Sequence, residues 1–199
     1  MPLRTSRSLA PIVALVLVLG ASPAQARPFG EQGQYIVTTA AALDYQRDTI
    51  RIEGAEDETR TRFSFHVAGD YTSFRRISFG IDFGIDGEVS GVEGYDTAKI
   101  FRFGGRAGYV LPLGAVASLW MRAGLSFGNG TFQTQTTEYT VRGTRLSVSA
   151  PFMFNPYPQV LIGVGPTFDH DLTAKAGTAI DAPKVTGFGV HMTLGFWFE

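Results

Sequence analysis

The residues of this chain best suited to chemistry are acidic and basic side chains set one position apart from apolar ones. They are Asp44, Asp70, Asp82, Asp86 and Asp169, with Arg62, Arg102, Arg106, Arg122 and Arg145. Charges withdrawn from water must pair and hydrogen-bond or they are very costly. Five acids facing five bases therefore predict an internal polar network of salt bridges and hydrogen bonds. A sharper alternative is a narrow ion path in which Arg102, Arg106 and Arg122 act as selectivity groups. No catalytic group is expected among them. None of the three histidines falls in a metal-ligand spacing such as H-E-x-x-H, and His66 has no nucleophile nearby in sequence. No metal or cofactor is expected, and no glycine run opens a helix to cradle a phosphate.

Composition narrows the setting. The chain has 199 residues, enough for one domain, and no cysteine, which excludes thiol chemistry and a disulfide scaffold. A formal charge of −1 gives no basic field for nucleic acid. Residues 1–26 read as a signal peptide. Arg4 and Arg7 precede an apolar run from Leu9 to Ala21, and Ala24-Gln25-Ala26 ends in the small-x-small pattern of a cleavage site. The mature domain is expected to span 27–199, and no later segment has the length and apolarity of a transmembrane helix.

The elements that must position the charges are strands. Successive side chains of a strand face opposite sides, and a membrane-crossing strand needs about 9–11 residues with one apolar face. Eight segments qualify: Tyr35–Tyr45, Thr61–Tyr71, Ile77–Asp86, Phe101–Leu111, Ala117–Phe127, Arg145–Phe154, Val160–Asp169 and Phe188–Phe198. In the third, Ile77, Phe79, Ile81, Phe83 and Ile85 alternate with Ser78, Gly80, Asp82, Gly84 and Asp86. None of the eight apolar faces carries a charged residue or a histidine, and the opposite faces are rich in Gly, Ser and charge.

A soluble β-sandwich also alternates, with its apolar face inward. Two features favour a membrane barrel instead. Aromatic residues end the apolar faces, with Tyr35, Tyr71, Tyr109, Phe154 and Phe198 at one rim. Tyr45, Phe63, Phe83, Phe101, Phe127, Phe168 and Phe188 are placed near the other. Connection lengths also alternate. Short turns are expected around 72–76, 112–114 and 155–158, and long loops over 46–60, 87–98, 128–143 and 170–186, the pattern of periplasmic turns and external loops. The loop beginning at Gln46 carries mixed charge. The Thr-rich stretch Thr131–Val141 is suited to extending strands five and six beyond the membrane.

The prediction is an all-β, eight-stranded antiparallel up-and-down transmembrane barrel. In architecture the mature chain resembles the small outer-membrane barrel families, those of OmpA-type transmembrane domains, OmpX and OmpW. The stretch from Ser149 through Asn155-Pro156-Tyr157-Pro158 to Phe168 is similar to a hairpin of this broad group. The resemblance implies a bacterial outer-membrane location, outer-membrane lipid and the barrel assembly machinery as partners, and a monomer. It implies a non-enzymatic structural or surface-interacting role, with a narrow channel for small or hydrophobic solutes as the alternative. His191-Met192-Thr193 with Glu199 looks faintly like the His-x-Ser and later Glu of outer-membrane lipid A deacylases. However, Thr193 stands where the family has Ser, and Glu199 follows Trp197 and Phe198 at the very end of the sequence, where such barrels typically finish on an aromatic.

If this reading is right, expressed protein fractionates with the outer membrane and runs as a heat-modifiable band on gels loaded without boiling. Recovery in the soluble periplasmic fraction without detergent would contradict it.

Overall fold

A computed structural model of the chain describes residues 28–42, 60–90, 97–133, 138–176, 180–181 and 186–199. The expected signal segment, Asp44, Tyr45 and the loop following them lie outside the described residues. The strands are β1 (Tyr35–Ala42), β2 (Arg60–Thr72), β3 (Ile77–Ser90), β4 (Thr97–Pro112), β5 (Ala117–Gln133), β6 (Glu138–Ser149), β7 (Phe152–Phe154), β8 (Val160–Ala176), β9 (Ile180–Asp181) and β10 (Thr186–Phe198).

All pairings are antiparallel, running in chain order from β1 to β6, on to β8, and then to β10. The sheet closes because β10 returns to β1, from Tyr35↔Phe198 to Ala41↔Met192. The segments β6 and β7 form one span broken at Ala150-Pro151. Proline has no N–H to give to a ladder. Pairing nevertheless continues through the break, since Trp120 N–H donates to the Pro151 carbonyl at 3.0 Å and Ala150 N–H to that of Pro166 at 3.1 Å. With β6 and β7 taken together, and β9 a short addition to the end of β8, the described residues make eight spans.

The alternation is realised with apolar side chains outward. On β3, Phe79, Ile81, Phe83 and Ile85 are exposed on the outer wall while Ser78 and Asp86 are buried inside. A sandwich would bury the apolar face against a second sheet. Here one sheet wraps on itself and its apolar wall has no protein against it, so the sandwich reading fails. Aromatics mark both edges of the wall. Tyr35 packs on Tyr71 and Phe198 at 5.1 and 5.8 Å at the short-turn end, and Phe168 on Phe188 at 4.8 Å toward the other.

Strands reach further than hydrophobic alternation suggests. Parts of the expected loops 87–98, 128–143 and 170–186 are paired strand. Examples are Val89↔Thr97, Gly128↔Gly143 through Gln133↔Glu138, and Val141↔Ala176. These extensions lack an apolar face, so alternation cannot mark them. Their Thr, Val, Phe and Tyr residues favour extended backbone, and the ladder below already holds them in register. One irregularity matters. The pairing of β6 with β8 passes from Thr144↔Thr173 to Arg145↔Asp171, which leaves Leu172 as an extra residue in a bulge.

The polar network fills only part of the lumen. Its short-turn end is an apolar core of Phe29, Ile36, Val110, Trp120, Met153, Leu161 and Trp197. Phe29 arrives from the segment before β1 and meets the indoles of Trp120 and Trp197 edge-on, at 5.3 and 5.9 Å. Gln34 ties that segment down, accepting from Gly30 N–H at 2.8 Å and donating to the Pro28 carbonyl at 3.0 Å. Gly30 has φ +91, and a Cβ there would collide with Val110, so the turn that delivers Phe29 needs a glycine. The ion pairs therefore sit above an apolar floor, because the inward Trp, Ile, Leu and Met residues cluster at that end and the chain preceding β1 folds in to meet them.

The outward wall makes a specific prediction. Ile81→Arg places a charge on the lipid face and should cost about 2–4 kcal/mol if it lies near the bilayer midplane. Urea titration of protein refolded into lipid vesicles measures it; an unchanged midpoint would contradict the lipid-facing assignment.

Candidate functional site: the polar lumen

Inward positions of six spans bring the charged side chains together, and the pleat decides which. Asp82 and Asp86 on β3 face inward four residues apart, and Arg102 and Arg106 on β4 do the same. Arg122 on β5, Arg145 on β6, and Asp169 and Asp171 on β8 complete the ring with Asp70 and His66 on β2. Asp86, Arg102, Arg122 and Arg145 are buried.

Two clusters form. In the one nearer the apolar floor, Arg106 grips Asp70 with a two-pronged contact: Nε donates to Oδ1 at 2.9 Å and Nη2 donates to Oδ2. The same Nη2 donates to Thr38 Oγ1 at 3.1 Å. In the outer cluster Asp86 is the hub. Its Oδ2 accepts from Arg102 Nε at 2.5 Å and Arg145 Nη1 at 3.2 Å, while its Oδ1 faces His66 Nε2 at 3.1 Å. His66 turns its other nitrogen to Asp82 at 3.1 Å. Arg145 also forks onto Asp171, with Nε and Nη2 donating to separate oxygens at 2.7 and 3.3 Å.

Arg122 stands apart. Its guanidinium lies 4.6 Å from the centroid of the Trp120 ring, and Arg106 lies over the same ring at 5.6 Å. Its Nη2 contacts His191 Nε2 at 2.8 Å, whereas its Nε and Nη1 have no hydrogen-bond partner among the described residues. Trp120 donates its indole N–H to Ser78 Oγ at 3.0 Å, which fixes the ring under both guanidinium groups.

Of the ten residues singled out by sequence, the structure brings Asp70 and Arg106 together, and Asp86 with Arg102 and Arg145. Asp82 joins through His66, and Asp169 lines the same cavity. Asp44 lies outside the described residues, as does the side chain of Arg62. Sequence reasoning missed Asp171, because the seventh segment was ended at Asp169, although the inward parity simply continues. It also missed Thr38, a neutral residue of an unremarkable strand, and gave His66 no partner. That partner arrives from β3, where Ala68↔Asp82 and Ser64↔Asp86 flank His66↔Gly84.

The clusters enclose a cavity of about 130 Å³ whose lining includes His66, Asp82, Arg102, Arg106, Arg122 and His191. His191 points inward and is buried against Arg122, so it does not face lipid. Among the described residues, no group of three or more His, Cys, Asp and Glu side chains is arranged to hold a metal ion.

A closed sheet with an apolar outer wall satisfies every condition for crossing a bilayer with strands. The chain has the fold of a small transmembrane β-barrel. Solved structures agree on the fold. Neisserial surface protein A matches with a TM-score of 0.62 and 15% identity over 84% of this chain and 98% of that one. Ail, the attachment invasion locus protein of Yersinia pestis, matches with a TM-score of 0.53 and 15% identity over 84% and 100%. The N-terminal β-barrel domain of Pseudomonas aeruginosa OprF gives 0.51 and 11% over 84% and 98%. No protein-family model and no curated protein matches the chain.

The hub carries a stability prediction. Asp86→Ala strips three cationic groups of a shared acceptor, and removing one partner of a buried ion pair costs about 3–5 kcal/mol. Equilibrium unfolding in vesicles should show that loss, while Asp169→Ala, which has no direct ion-pair partner among the described residues, should lose clearly less. Equal losses would mean that Asp86 is not the hub.

Proposed function

We propose that the protein is a non-enzymatic outer-membrane barrel that works through the strands and loops standing outside the membrane. One observation carries this reading: the wall continues past its apolar belt as paired, polar strand. Going outward along β5, Leu125 and Phe127 give way to Asn129 and Thr131. On β4, Phe103 and Phe101 give way to Lys99, and β6 and β8 end in exposed Arg142, Thr140, Thr173 and Lys175. Rigid paired strands hold such groups in fixed positions at less entropic cost than a free loop.

The chemistry displayed is partly cationic. Arg142 and Lys175 are direct partners across β6 and β8, and Asn129 accepts from Arg142 Nε at 3.3 Å. Like charges directly opposite are unfavourable in a sheet, so the pair gains from an anionic surface that neutralises both. Ail, which shares the fold, was crystallised in complex with the heparin analogue sucrose octasulfate. The lumen supports the same reading against a channel, since it holds an apolar floor surmounted by interlocked ion pairs.

Cells displaying the protein are expected to be retained on an immobilised sulfated polysaccharide at low ionic strength. Arg142→Glu combined with Lys175→Glu should abolish that retention without changing the heat-modifiable band. Retention no greater than that of vector-only cells would defeat the surface-contact reading, and a steady conductance in planar bilayers would favour the channel.

A further inference from the structure

We infer that the barrel lumen binds a small inorganic anion of halide size against Arg122. This site is independent of the outer surface discussed above.

Arg122 is 7% exposed, and its lumen neighbours leave it without a counter-charge. Each nearby carboxylate is engaged elsewhere: Asp70 by Arg106, Asp82 by His66, Asp86 by His66, Arg102 and Arg145, and Asp171 by Arg145. Asp169 is the remaining lumen acid, but it pairs in the ladder with Ser147, while Arg122 pairs with Ser149 from the neighbouring strand on the other side. Nε and Nη1 of Arg122 are buried donors with no partner among the described residues. A buried, unsatisfied charged donor is far costlier than a paired one. The Trp120 face offsets part of that cost, since a desolvated cation over an indole gains about 2 kcal/mol. It supplies no acceptor, however.

The surroundings suit an anion. Arg122 lines the cavity together with Arg102, Arg106, Arg145, His66 and His191, and with the carboxylates Asp82, Asp86 and Asp169, of which the first two are held by their own partners. A water needs about 10–15 Å³ of such space, so the cavity has room for a halide together with several waters. Arg106 shares the Trp120 ring with Arg122, which sets two guanidinium groups near one another, and of the two it is Arg106 that holds the Asp70 carboxylate. A monovalent anion reaching the free donors of Arg122 would balance that local excess and relieve the repulsion between the two cations. The apolar floor closes one end of the lumen, so the site is expected to be saturable rather than a transit point.

Trp120 makes the site observable, because iodide quenches indole fluorescence and the ring lies beneath Arg122. The chain has two tryptophans, so Trp197→Phe leaves Trp120 as sole emitter. Refolded, heat-modifiable protein in detergent is titrated with iodide at constant ionic strength, with bulky gluconate as the balancing anion. The expected result is saturable quenching of Trp120 that chloride reverses competitively. Arg122→Met, which keeps an apolar stem over the ring, should abolish the saturable component. Arg122→Lys, which keeps a charge but loses the planar fork, should weaken it by about tenfold, the effect of losing one charge-assisted hydrogen bond. Quenching that is absent, or linear in iodide and insensitive to chloride, overturns the site. So does saturable quenching that survives unchanged in a folded Arg122→Met protein. If that variant does not fold, the chloride competition on the parent barrel still decides.

Discussion

Everything in this molecule follows from the need to satisfy the backbone inside lipid. A strand at an open edge would leave a row of N–H and C=O groups without partners, each costing several kcal/mol in hydrocarbon. The pairing of β1 with β10 removes that edge. Closure then sets the polarity of every residue between the rims. One face of each strand meets lipid and must be apolar, and the other meets a lumen too narrow to hold bulk water. Side chains on that second face must fill the space and satisfy one another.

The two ends of the lumen solve this problem differently. At the short-turn end the inward residues are large and apolar, and Phe29 completes the packing from outside the sheet. Further out the filling is ionic, and small residues make room for it. Gly80 lies against the carboxylate of Asp70, and Gly84 against the ring of His66; a Cβ at either would overlap these groups. The glycines of the inward face are thus space for salt bridges. The regular register of β6 with β8 sets Asp171 directly opposite Arg145, and the bulge at Leu172 comes just beyond that pair. Buried pairs of this kind add little net stability over an apolar filling, but they hold the strands in one register because each misplacement strands a charge.

This division of labour bears on function. A lumen that is packed at one end and interlocked at the other contributes rigidity, and the parts free to meet other molecules are the polar strands and loops beyond the belt. Among the described residues, Arg122 is the buried arginine without a directly paired carboxylate, and it sits where the ionic filling meets the aromatic floor.

Much of this was legible in the amino-acid sequence, for a definite reason. Period-two alternation with no charge on one face is a local property, so Ile77 to Asp86 declares both its faces without reference to any neighbour, and the aromatic rims and short turns do the same. By itself the sequence determined the strand count, the alternation that turns apolar residues to lipid, and, Asp171 apart, the acids and bases that turn inward among the described residues. It did not determine who pairs with whom. Asp86 meets Arg145 across 59 residues of chain, and His66 meets Asp82 only because β2 and β3 adopt one register. The polar ends of β5 and β6 carry no apolar face; their Thr-rich sequence suggested an extension of the two strands, and the ladder set its register. Phe29 belongs to no strand, and only the closed barrel offered it a cavity. The tertiary structure decided these points because they depend on distances between segments, and distances are set by closure and register, which no stretch of sequence encodes locally.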